Sequence, residues 1–246
     1  MNIRKYFILK NYRNHISDIL SRKSKVTYSQ FGEDMMMRYV LSKIGIDKPS
    51  YLDIGTNYPK YDNNTYLFYS IGGHGVCIEP DPELFKIICK ARKRDICLNI
   101  GIGISSVKEA DYYMMTSKSL NTFSKVQAEQ YVKDQNYGRQ RIERIIKVPL
   151  VTVNSIMERY LPSDLDILSI DTEGYDLDIL KSLDLKRFRP KMICAETARF
   201  ESKGKIVKVH EIGEHLEKEG YALYADTFYN SIFIDKACGK SVMFNL

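Results

Sequence analysis

The stretch SYLDIGTNYP, residues 50–59, decides the predicted fold. Its apolar run ends in Asp53 and Gly55, which is typical of a buried strand that leads into a tight turn. Four further runs have the same character: HGVCIEP (74–80), DICLNIGIG (95–103), LDILSID (165–171) and KMICAE (191–196). Each is therefore predicted to be a strand of one buried sheet.

Segments with helical spacing separate these strands. They are 36–44, 61–70 with Asn63 or Asn64 as N-cap, 82–92, 155–160 behind Asn154, 177–183 and 207–219. Regular alternation of strand and helix predicts a mostly parallel sheet with helices on both faces. Residues 221–234 are predicted to form an antiparallel hairpin that closes one edge. The predicted fold class is therefore α/β and Rossmann-like.

Two segments fall outside this alternation. Residues 1–27 carry seven basic side chains against one acidic residue, Asp18, and are predicted to form a basic helical arm. Residues 109–147 form an insertion that is expected to cover the site. The predicted organisation is thus an arm over 1–27 and one domain over 28–246.

The composition is that of a globular protein, with 44% hydrophobic and 28% charged residues in a chain of 246. No apolar run approaches the length that a membrane-spanning helix needs, and the apolar stretch near the N-terminus is too short for a secretory signal. The five cysteines are widely spaced and form no CxxC pair, which favours reduced thiols over disulfides or zinc. The expected location is cytoplasmic.

Polar groups recur where the predicted strands end. Asp53 and Gly55 follow the first strand, Glu79 the second, and Asn99 the third, while Asp171, Glu173 and Glu196 follow the last two. Ligands of such folds bind beyond the carboxyl ends of the strands, and an acid after the second strand accepts the hydroxyls of a ribose. The pattern therefore indicates a nucleoside-type cofactor.

The first turn distinguishes between two such cofactors. Dinucleotide sites use GxGxxG to bring a pyrophosphate to a helix N-terminus, and the turn DIGTNYP has a single glycine preceded by Asp53. A carboxylate repels a pyrophosphate and attracts the ammonium group of a methionine moiety. The turn therefore favours S-adenosylmethionine over NAD(P).

Several motifs together resemble the FkbM family of S-adenosylmethionine-dependent methyltransferases. They are YSQFGED (28–34), YLDIGTNYPKYDNNTYLF (51–68), GVCIEPDP (75–82), DILSIDTEGYDLDIL (166–180) and DTFYNSIFI (226–234). The resemblance implies a class I methyltransferase fold. It also implies O-methylation of a sugar hydroxyl in a nucleotide-sugar, glycan or glycolipid precursor.

The candidate cofactor residues are expected to contact different parts of S-adenosylmethionine. Asp53 and the Gly55 turn are expected to hold the methionine end, and Glu79 the ribose hydroxyls. Asn57 and Gln30 offer amide donors to the cofactor carboxylate, and Asn99 is expected near the adenine edge.

Methyl transfer from a sulfonium is an in-line displacement, so the protein must align the acceptor oxygen and remove its proton. Asp171, Glu173 and Glu196 are the candidate catalytic residues, as a general base or as ligands of a divalent cation such as Mg²⁺ or Mn²⁺. Pairing of these acids with Arg199 or Lys191 is the alternative. His210 and His74 are alternative bases.

Aromatic residues provide candidates for an acceptor pocket, since aromatic faces suit sugar rings. The segment 112–115 (YYMM) is a candidate lining, although strand packing explains it as well and is the favoured interpretation. Hairpin packing is favoured over recognition for Tyr221, Tyr224 and Tyr229.

The expected partner is a small-molecule or saccharide acceptor, including a nucleotide-linked one, and a homo-oligomer is compatible with the sequence. Nucleic acid is not favoured, because no stacking module is recognisable and the chain after the arm is nearly neutral. The alternatives left open are an RNA or protein methyltransferase, an NAD(P)-dependent oxidoreductase, and a cofactor-binding scaffold without activity.

Overall fold

The computed structural model describes residues 26–161, 165–200 and 205–239. The predicted arm over 1–27 lies almost wholly outside the described residues. The strands are β1 (Ser50–Ile54), β2 (His74–Ile78), β3 (Ile96–Leu98), β4 (Gly101–Ile102), β5 (Glu109–Met115), β6 (Ile142–Val151), β7 (Ile167–Ile170), β8 (Met192–Glu196), β9 (Ala198–Phe200), β10 (Ile206–Lys208), β11 (Tyr221–Asp226) and β12 (Asn230–Asp235). The α-helices are α1 (Glu33–Lys43), α2 (Tyr66–Ser70), α3 (Pro82–Ala91), α4 (Lys125–Lys133), α5 (Val153–Tyr160), α6 (Asp176–Ser182), α7 (His210–Lys218) and α8 (Lys236–Gly239). Two single 3₁₀ turns span Lys118–Leu120 and Gln135–Tyr137.

Seven strands form the central sheet in the order β11-β12-β8-β7-β1-β2-β3. All pairs are parallel except those of β12, which runs antiparallel to both β11 and β8. This confirms the predicted α/β class and the terminal hairpin. The carboxyl ends of the parallel strands share one edge, and the first residue of β12, Asn230, reaches that edge opposite Glu196.

Alternate residues of the strands pack on opposite faces of the sheet. Leu52 and Leu168 belong to an apolar cluster with Ile179 of α6, whereas Tyr51 and Ile167 belong to a second cluster. The second cluster is covered by helices α1 to α3, as Met37, Phe68 and Ile88 show. Helices on both faces therefore bury the sheet, as predicted.

The helix predicted over 61–70 begins later than expected, at Tyr66, and its N-cap is Thr65 rather than Asn63 or Asn64. Asn63 Oδ1 accepts hydrogen bonds from the backbone N–H groups of Thr65, at 3.1 Å, and Tyr66, at 2.8 Å. Its Nδ2 donates to the Thr56 carbonyl at 3.0 Å. The side chain thus initiates the helix, and residues 61–65 remain a loop above the β1 turn.

The single strand predicted over 95–103 is two strands in different sheets. β3 joins the central sheet, and β4 pairs with β6. Between them, Asn99 Nδ2 donates to the carbonyls of Glu79, at 2.8 Å, and Pro80, at 2.9 Å. These bonds fix the position where the chain leaves the central sheet.

Two further boundaries differ from the prediction. The N-cap of α5 is Thr152, whose hydroxyl accepts from Ser155 N at 3.3 Å, while Asn154 instead links Ser182 O and Asp184 N. The helix predicted over 207–219 starts at His210, because residues 206–208 pair with β9.

The segment that interrupts the alternation has its own sheet, in the order β4-β6-β5. β5 and β6 pair antiparallel over nearly their whole length, and α4 packs against them through Ala128 and Tyr131. We call residues 109–151 the inserted subdomain. It packs beside the carboxyl edge of the central sheet.

All five cysteines are free thiols, as predicted, although only Cys77 and Cys194 are fully buried. Among the described helices, none combines the length and apolar character needed to cross a membrane.

Candidate active site

A cavity of about 600 Å³ opens at the carboxyl edge of the central sheet. This volume lies within the range of small-molecule sites, about 300–1,000 Å³. Its lining includes Gly55, Asn57, Glu79, Asp171, Glu173 and Glu196, which the sequence singled out. Tertiary structure therefore brings most of the predicted site residues together.

Gly55 occupies the β1 turn with φ of +79°, where a side chain is strained. A Cβ atom at this position would lie 1.8 Å from the carbonyl oxygen of Asp171. The turn of β1 and the end of β7 therefore approach as closely as they do because residue 55 has no side chain.

Asn57 lies beside this turn, also with positive φ. Its backbone N–H donates to Glu79 Oε2 at 2.7 Å. Its side-chain oxygen is buried and has no hydrogen-bond partner among the described residues. Such an acceptor suits an ammonium group, whereas the sequence had suggested the amide nitrogen as a donor to the cofactor carboxylate.

Glu79 is buried and lines the cavity. Oε2 accepts from Asn57 N, and Oε1 accepts from Asp81 N at 2.8 Å. Burial raises the pKa of this carboxyl to about 7. Each oxygen retains acceptor capacity, so the carboxylate is fixed in place and still able to accept from two ribose hydroxyls.

Neither Asp53 nor Asn99, both predicted cofactor contacts, lines the cavity. Asp53 Oδ2 faces the protein: it accepts from Thr65 Oγ1 at 2.6 Å and forms an ion pair with the buried Arg92 at 3.3 Å. Asn99 is engaged with the carbonyls of Glu79 and Pro80. Both side chains therefore bind protein groups behind the loops that line the cavity.

Gln30 lines the cavity from the loop before α1, as expected of a contact residue. The acids that follow it in the YSQFGED motif have structural partners. Asp34 Oδ2 accepts from Tyr28 N at 2.7 Å and Oδ1 from Thr27 Oγ1 at 2.6 Å, while Glu33 Oε2 accepts from Phe31 N at 2.9 Å. These carboxylates fold the loop that presents Gln30.

Asp171, Glu173 and Glu196 form the acid cluster of the site. One carboxylate oxygen from each lies within 4.8 Å of the other two. The Asp171 side chain is exposed to the cavity. The cavity itself lies deep enough in the protein that many protein atoms surround this carboxyl beyond its direct contacts. Burial, together with the neighbouring negative charges, raises the pKa of all three carboxyls. The arrangement suits either a proton acceptor or a cation.

Glu173 is held by the inserted subdomain. Tyr131 Oη donates to its Oε2 at 2.7 Å, and Thr122 Oγ1 donates to its carbonyl at 3.2 Å. Glu173 itself has φ of +53°, a strained conformation for a residue with a side chain. No signal in the sequence indicates Tyr131 or Thr122, because both contacts span more than forty residues.

A smaller cavity of about 200 Å³ lies on the other side of the acid cluster. Glu173 and Glu196 line both cavities, and Gln127 and Arg199 line the smaller one. The alternative partner Lys191 lies at the opposite end of the sheet, where it binds Asp166 Oδ1 at 2.7 Å. Lys191 therefore does not neutralise the acid cluster.

The inserted subdomain also lines the cavity near Glu79. Lys118 Nζ and Asn121 Nδ2 donate to Asp81 Oδ2, at 2.8 Å and 3.2 Å. Phe123 lies against Gly101, where a Cβ atom would come within 2.4 Å of its ring. All three inserted residues line the cavity, and sequence reasoning had missed them.

Of the YYMM segment, Tyr112 alone lines the main cavity. Its ring centroid lies 4.6 Å from that of Phe123, and burial raises its pKa. Tyr113, Met114 and Met115 are buried in the packing of the inserted subdomain. The favoured interpretation, strand packing, therefore holds for three of the four residues.

The three tyrosines of the β11–β12 hairpin lie in different surroundings. Tyr221 is buried in the core, and Tyr224 packs beside the second apolar cluster. Tyr229 lines the main cavity, and its ring stacks on Phe31 with centroids 5.2 Å apart. Packing was the favoured interpretation for all three, and Tyr229 both packs against Phe31 and reaches the cavity.

Neither histidine proposed as an alternative base lines the main cavity. His74 is the first residue of β2 and thus lies at the opposite edge of the sheet. His210 is exposed at the start of α7 and does not line the main cavity. The three carboxylates therefore remain the candidate bases.

One protein-family model matches the chain. The model described as "Methyltransferase FkbM domain" matches residues 53–223. No curated protein sequence matches the chain.

Solved methyltransferase structures are also similar. A FkbM methyltransferase from Methylobacillus flagellatus has 10% identity and a TM-score of 0.44, covering 76% of this chain and 44% of that one. A TehB-like SAM-dependent methyltransferase from Corynebacterium glutamicum has 10% identity and a TM-score of 0.41, covering 92% and 97%. A putative caffeoyl-CoA O-methyltransferase from Staphylococcus aureus has 10% identity and a TM-score of 0.45, covering 95% and 100%.

Proposed function

The chain belongs to the FkbM methyltransferase domain family, and from this premise we propose that it transfers a methyl group from S-adenosylmethionine to a sugar hydroxyl. The acceptor class is a nucleotide-sugar, a glycan or a glycolipid precursor. The observation that carries the proposal is the single cavity lined by Glu79 at one end and by the acid cluster at the other.

The residues present fit the cofactor. Glu79 has two oriented carboxylate oxygens for the ribose hydroxyls, and the buried Asn57 Oδ1 lacks a partner among the described residues, as a site for an ammonium group requires. Gly101, Ile102 and Phe123 provide an apolar surface beyond Glu79 for the adenine. Gln30 offers an amide to the carboxylate of the methionine moiety.

S-adenosylmethionine supplies an electrophilic methyl group on a sulfonium centre. The chain's own part is to hold the acceptor oxygen in line and to accept its proton. Asp171, Glu173 and Glu196 are the candidate bases. Their pKa values are raised, so each carboxylate is a stronger base than an ordinary carboxylate. Removing water from the cavity strengthens the effect of these charges on the acceptor hydroxyl.

The same three carboxylates fit a divalent cation, because oxygen ligands suit Mg²⁺ and Mn²⁺. In that form they would hold the metal, which lowers the pKa of a bound hydroxyl. Support comes from their mutual proximity and from the distance of Lys191.

The first experiment is calorimetry of the full chain with S-adenosylhomocysteine, using NADH and NADPH as controls. We expect micromolar binding of the first and none of the dinucleotides. Replacing Glu79 with alanine should weaken binding by about 1–3 kcal/mol, because hydrogen bonds to a buried carboxylate are lost. Binding of the dinucleotides alone would exclude the proposed cofactor.

A second experiment separates base from metal catalysis. UDP-hexoses and methyl hexopyranosides are screened for S-adenosylhomocysteine release, before and after treatment with a chelator. Activity lost on chelation and restored by Mg²⁺ or Mn²⁺ identifies a metal, and activity that withstands chelation identifies a carboxylate base. Transfer to RNA or protein but to no sugar would reject the proposed acceptor class.

A further inference from the structure

Asn230 is the first residue of β12 and lines the main cavity. It is only 6% exposed, and it lies directly opposite Glu196 in the β12–β8 register. Asn230 is therefore a neighbour of the acid cluster on the side away from β1. Neither the candidate catalytic residues nor the cofactor contacts include it.

The amide of Asn230 has a fixed orientation. Its Nδ2 donates to Glu33 Oε1 at 3.1 Å, and Thr227 Oγ1 donates to the same oxygen at 2.7 Å. Hydrogen bonds of this kind outweigh burial and lower the pKa of Glu33. Because an ionised carboxylate only accepts, the amide nitrogen must face Glu33 and the amide oxygen must face away from it.

The oxygen so oriented, Asn230 Oδ1, is buried and has no hydrogen-bond partner in the part of the chain that the structure describes. A buried carbonyl oxygen without a donor is unfavourable, and native proteins rarely retain one without a reason. A donor that reaches it from the cavity would remove this penalty. Asn230 Oδ1 is therefore a candidate acceptor for a hydroxyl or N–H group of a ligand.

The position of Asn230 favours the methyl acceptor over the cofactor as that donor. In the strand order β12-β8-β7-β1, three inter-strand steps separate Asn230 from the Gly55 turn. At about 4.8 Å per step, the separation is roughly 14 Å. Of the predicted cofactor contacts that line the cavity, Gly55, Asn57 and Glu79 lie at the ends of β1 and β2, and only Gln30, in the loop before α1, lies elsewhere. The methyl acceptor is therefore the expected source of the donor at Asn230.

Tyr229 completes this end of the cavity. Its ring lies nearly parallel to that of Phe31, at an interplanar angle of 17°, which holds it in place. Glu33 connects the loop before α1 with the β11–β12 hairpin. Its Oε2 accepts from Phe31 N, and its Oε1 accepts from Thr227 and Asn230 of the hairpin. The motifs at 28–34 and 226–234 therefore build one surface.

We propose that Asn230 Oδ1 accepts a hydrogen bond from the acceptor hydroxyl that neighbours the methylated one, while Tyr229 packs against the ring. The inference rests on the proposed function and narrows its substrate to rings with two adjacent free hydroxyls. One hydroxyl faces the acid cluster, and the other faces Asn230.

The test is a double-mutant cycle between one side chain and one substrate hydroxyl. The best acceptor from the UDP-hexose and methyl hexopyranoside screen is compared with its monodeoxy analogues. Loss of the neighbouring hydroxyl should lower kcat/KM of the wild-type protein about tenfold, the effect of one hydrogen bond. In Asn230→Ala the same deoxygenation should change kcat/KM less than about twofold, because its partner is already absent.

Ser231→Ala is the matched control, since it removes the buried hydrogen bond of 2.7 Å between Ser231 Oγ and Thr197 Oγ1 at the next residue of β12, which does not line the main cavity. It should retain the tenfold effect of deoxygenation. Equal losses in wild type and Asn230→Ala overturn the inference while sugar methylation stands. If Asn230→Ala fails to fold, the wild-type series decides: an acceptor whose monodeoxy analogues all react equally well also overturns it. Intact S-adenosylhomocysteine binding with no sugar methylated rejects both the acceptor class and this inference.

Discussion

The phenolic oxygen of Tyr131 lies 2.7 Å from Oε2 of Glu173, so the inserted subdomain directly contacts the acid cluster. Tyr131 is almost completely buried, and burial raises its pKa, which keeps the phenol protonated as the donor. The hydrogen bond in turn lowers the pKa of Glu173 against the opposing effects of burial and Asp171. Tyr131 is therefore a positioning residue for Glu173.

Replacing Tyr131 with phenylalanine should lower kcat about tenfold, because Glu173 loses the donor that fixes its carboxylate. Without that donor the pKa of Glu173 rises, so the acidic limb of the pH–rate profile should move to higher pH. S-adenosylhomocysteine affinity should stay the same. Tyr221→Phe is the control, since it removes another buried hydrogen bond, 2.7 Å to Pro190 O, far from the cavity. An unchanged pH profile in Tyr131→Phe would show that Tyr131 does not position Glu173 for catalysis.

Glu79 should make the stability of the ligand-free protein depend on pH. Its pKa is about 7 in the folded protein and 4.5 in the unfolded reference, so the folded state binds more protons between these values. The free energy of unfolding should therefore fall as pH rises from about 4.5 to 7, by on the order of 3 kcal/mol from this group. Glu79→Gln does not titrate, so the difference between the two proteins in urea unfolding should vary across that window. A difference that is constant with pH contradicts the assignment.

Arg92 should be essential for stability. It is fully buried and forms ion pairs with Asp53, at 3.3 Å, and Asp95, at 2.9 Å. Arg92→Met leaves both carboxylates without their cation, and we expect a loss of roughly 3–5 kcal/mol in the free energy of unfolding. The exposed Arg94, which donates to the Tyr69 carbonyl, is the matched control, and Arg94→Met should lose less than about 1 kcal/mol. Similar losses in the two variants would mean that the buried network is unimportant.

Gly55→Ala should abolish S-adenosylhomocysteine binding, because its Cβ would overlap the Asp171 carbonyl oxygen. Gly45 is the comparison residue, since it also has positive φ but no atom lies within 4 Å of the position that a Cβ would occupy there. Gly45→Ala should therefore lose only about 1–2 kcal/mol of stability to backbone strain and bind the ligand normally. Calorimetry and urea unfolding of both variants measure the two effects. Normal ligand binding by Gly55→Ala would contradict the close approach of β1 and β7.

The local pattern of the sequence was sufficient for the order of the main elements. Buried strands such as 50–54 and 167–170 are apolar on both faces, because helices cover both sides of a parallel sheet. The polar residues that follow them had to meet at one edge, since parallel strands share their direction. Gly55, Asn57, Glu79 and the acid cluster were predicted on this basis.

Orientation of side chains was not predictable in the same way. Asp53 ends the same strand as the glycine turn, but it faces Arg92, which lies 39 residues later and carries the charge that a buried carboxylate requires. Asn99 and Asn154 were likewise assigned by position, and both are engaged with backbone groups of distant segments.

The sequence by itself determined the α/β class and the edge of the sheet where the candidate site lies, because strand periodicity and turn chemistry are local properties. The family was indicated by the resemblance of its motifs. Tertiary structure alone decided which atoms remain available to a ligand. Asn230 Oδ1 has no partner among the described residues because Glu33, almost two hundred residues away, takes the nitrogen of the same amide. Glu173 is oriented because Tyr131 reaches it from the inserted subdomain. Hydrogen bonds between distant residues depend on the packing of whole elements, and no local pattern encodes them.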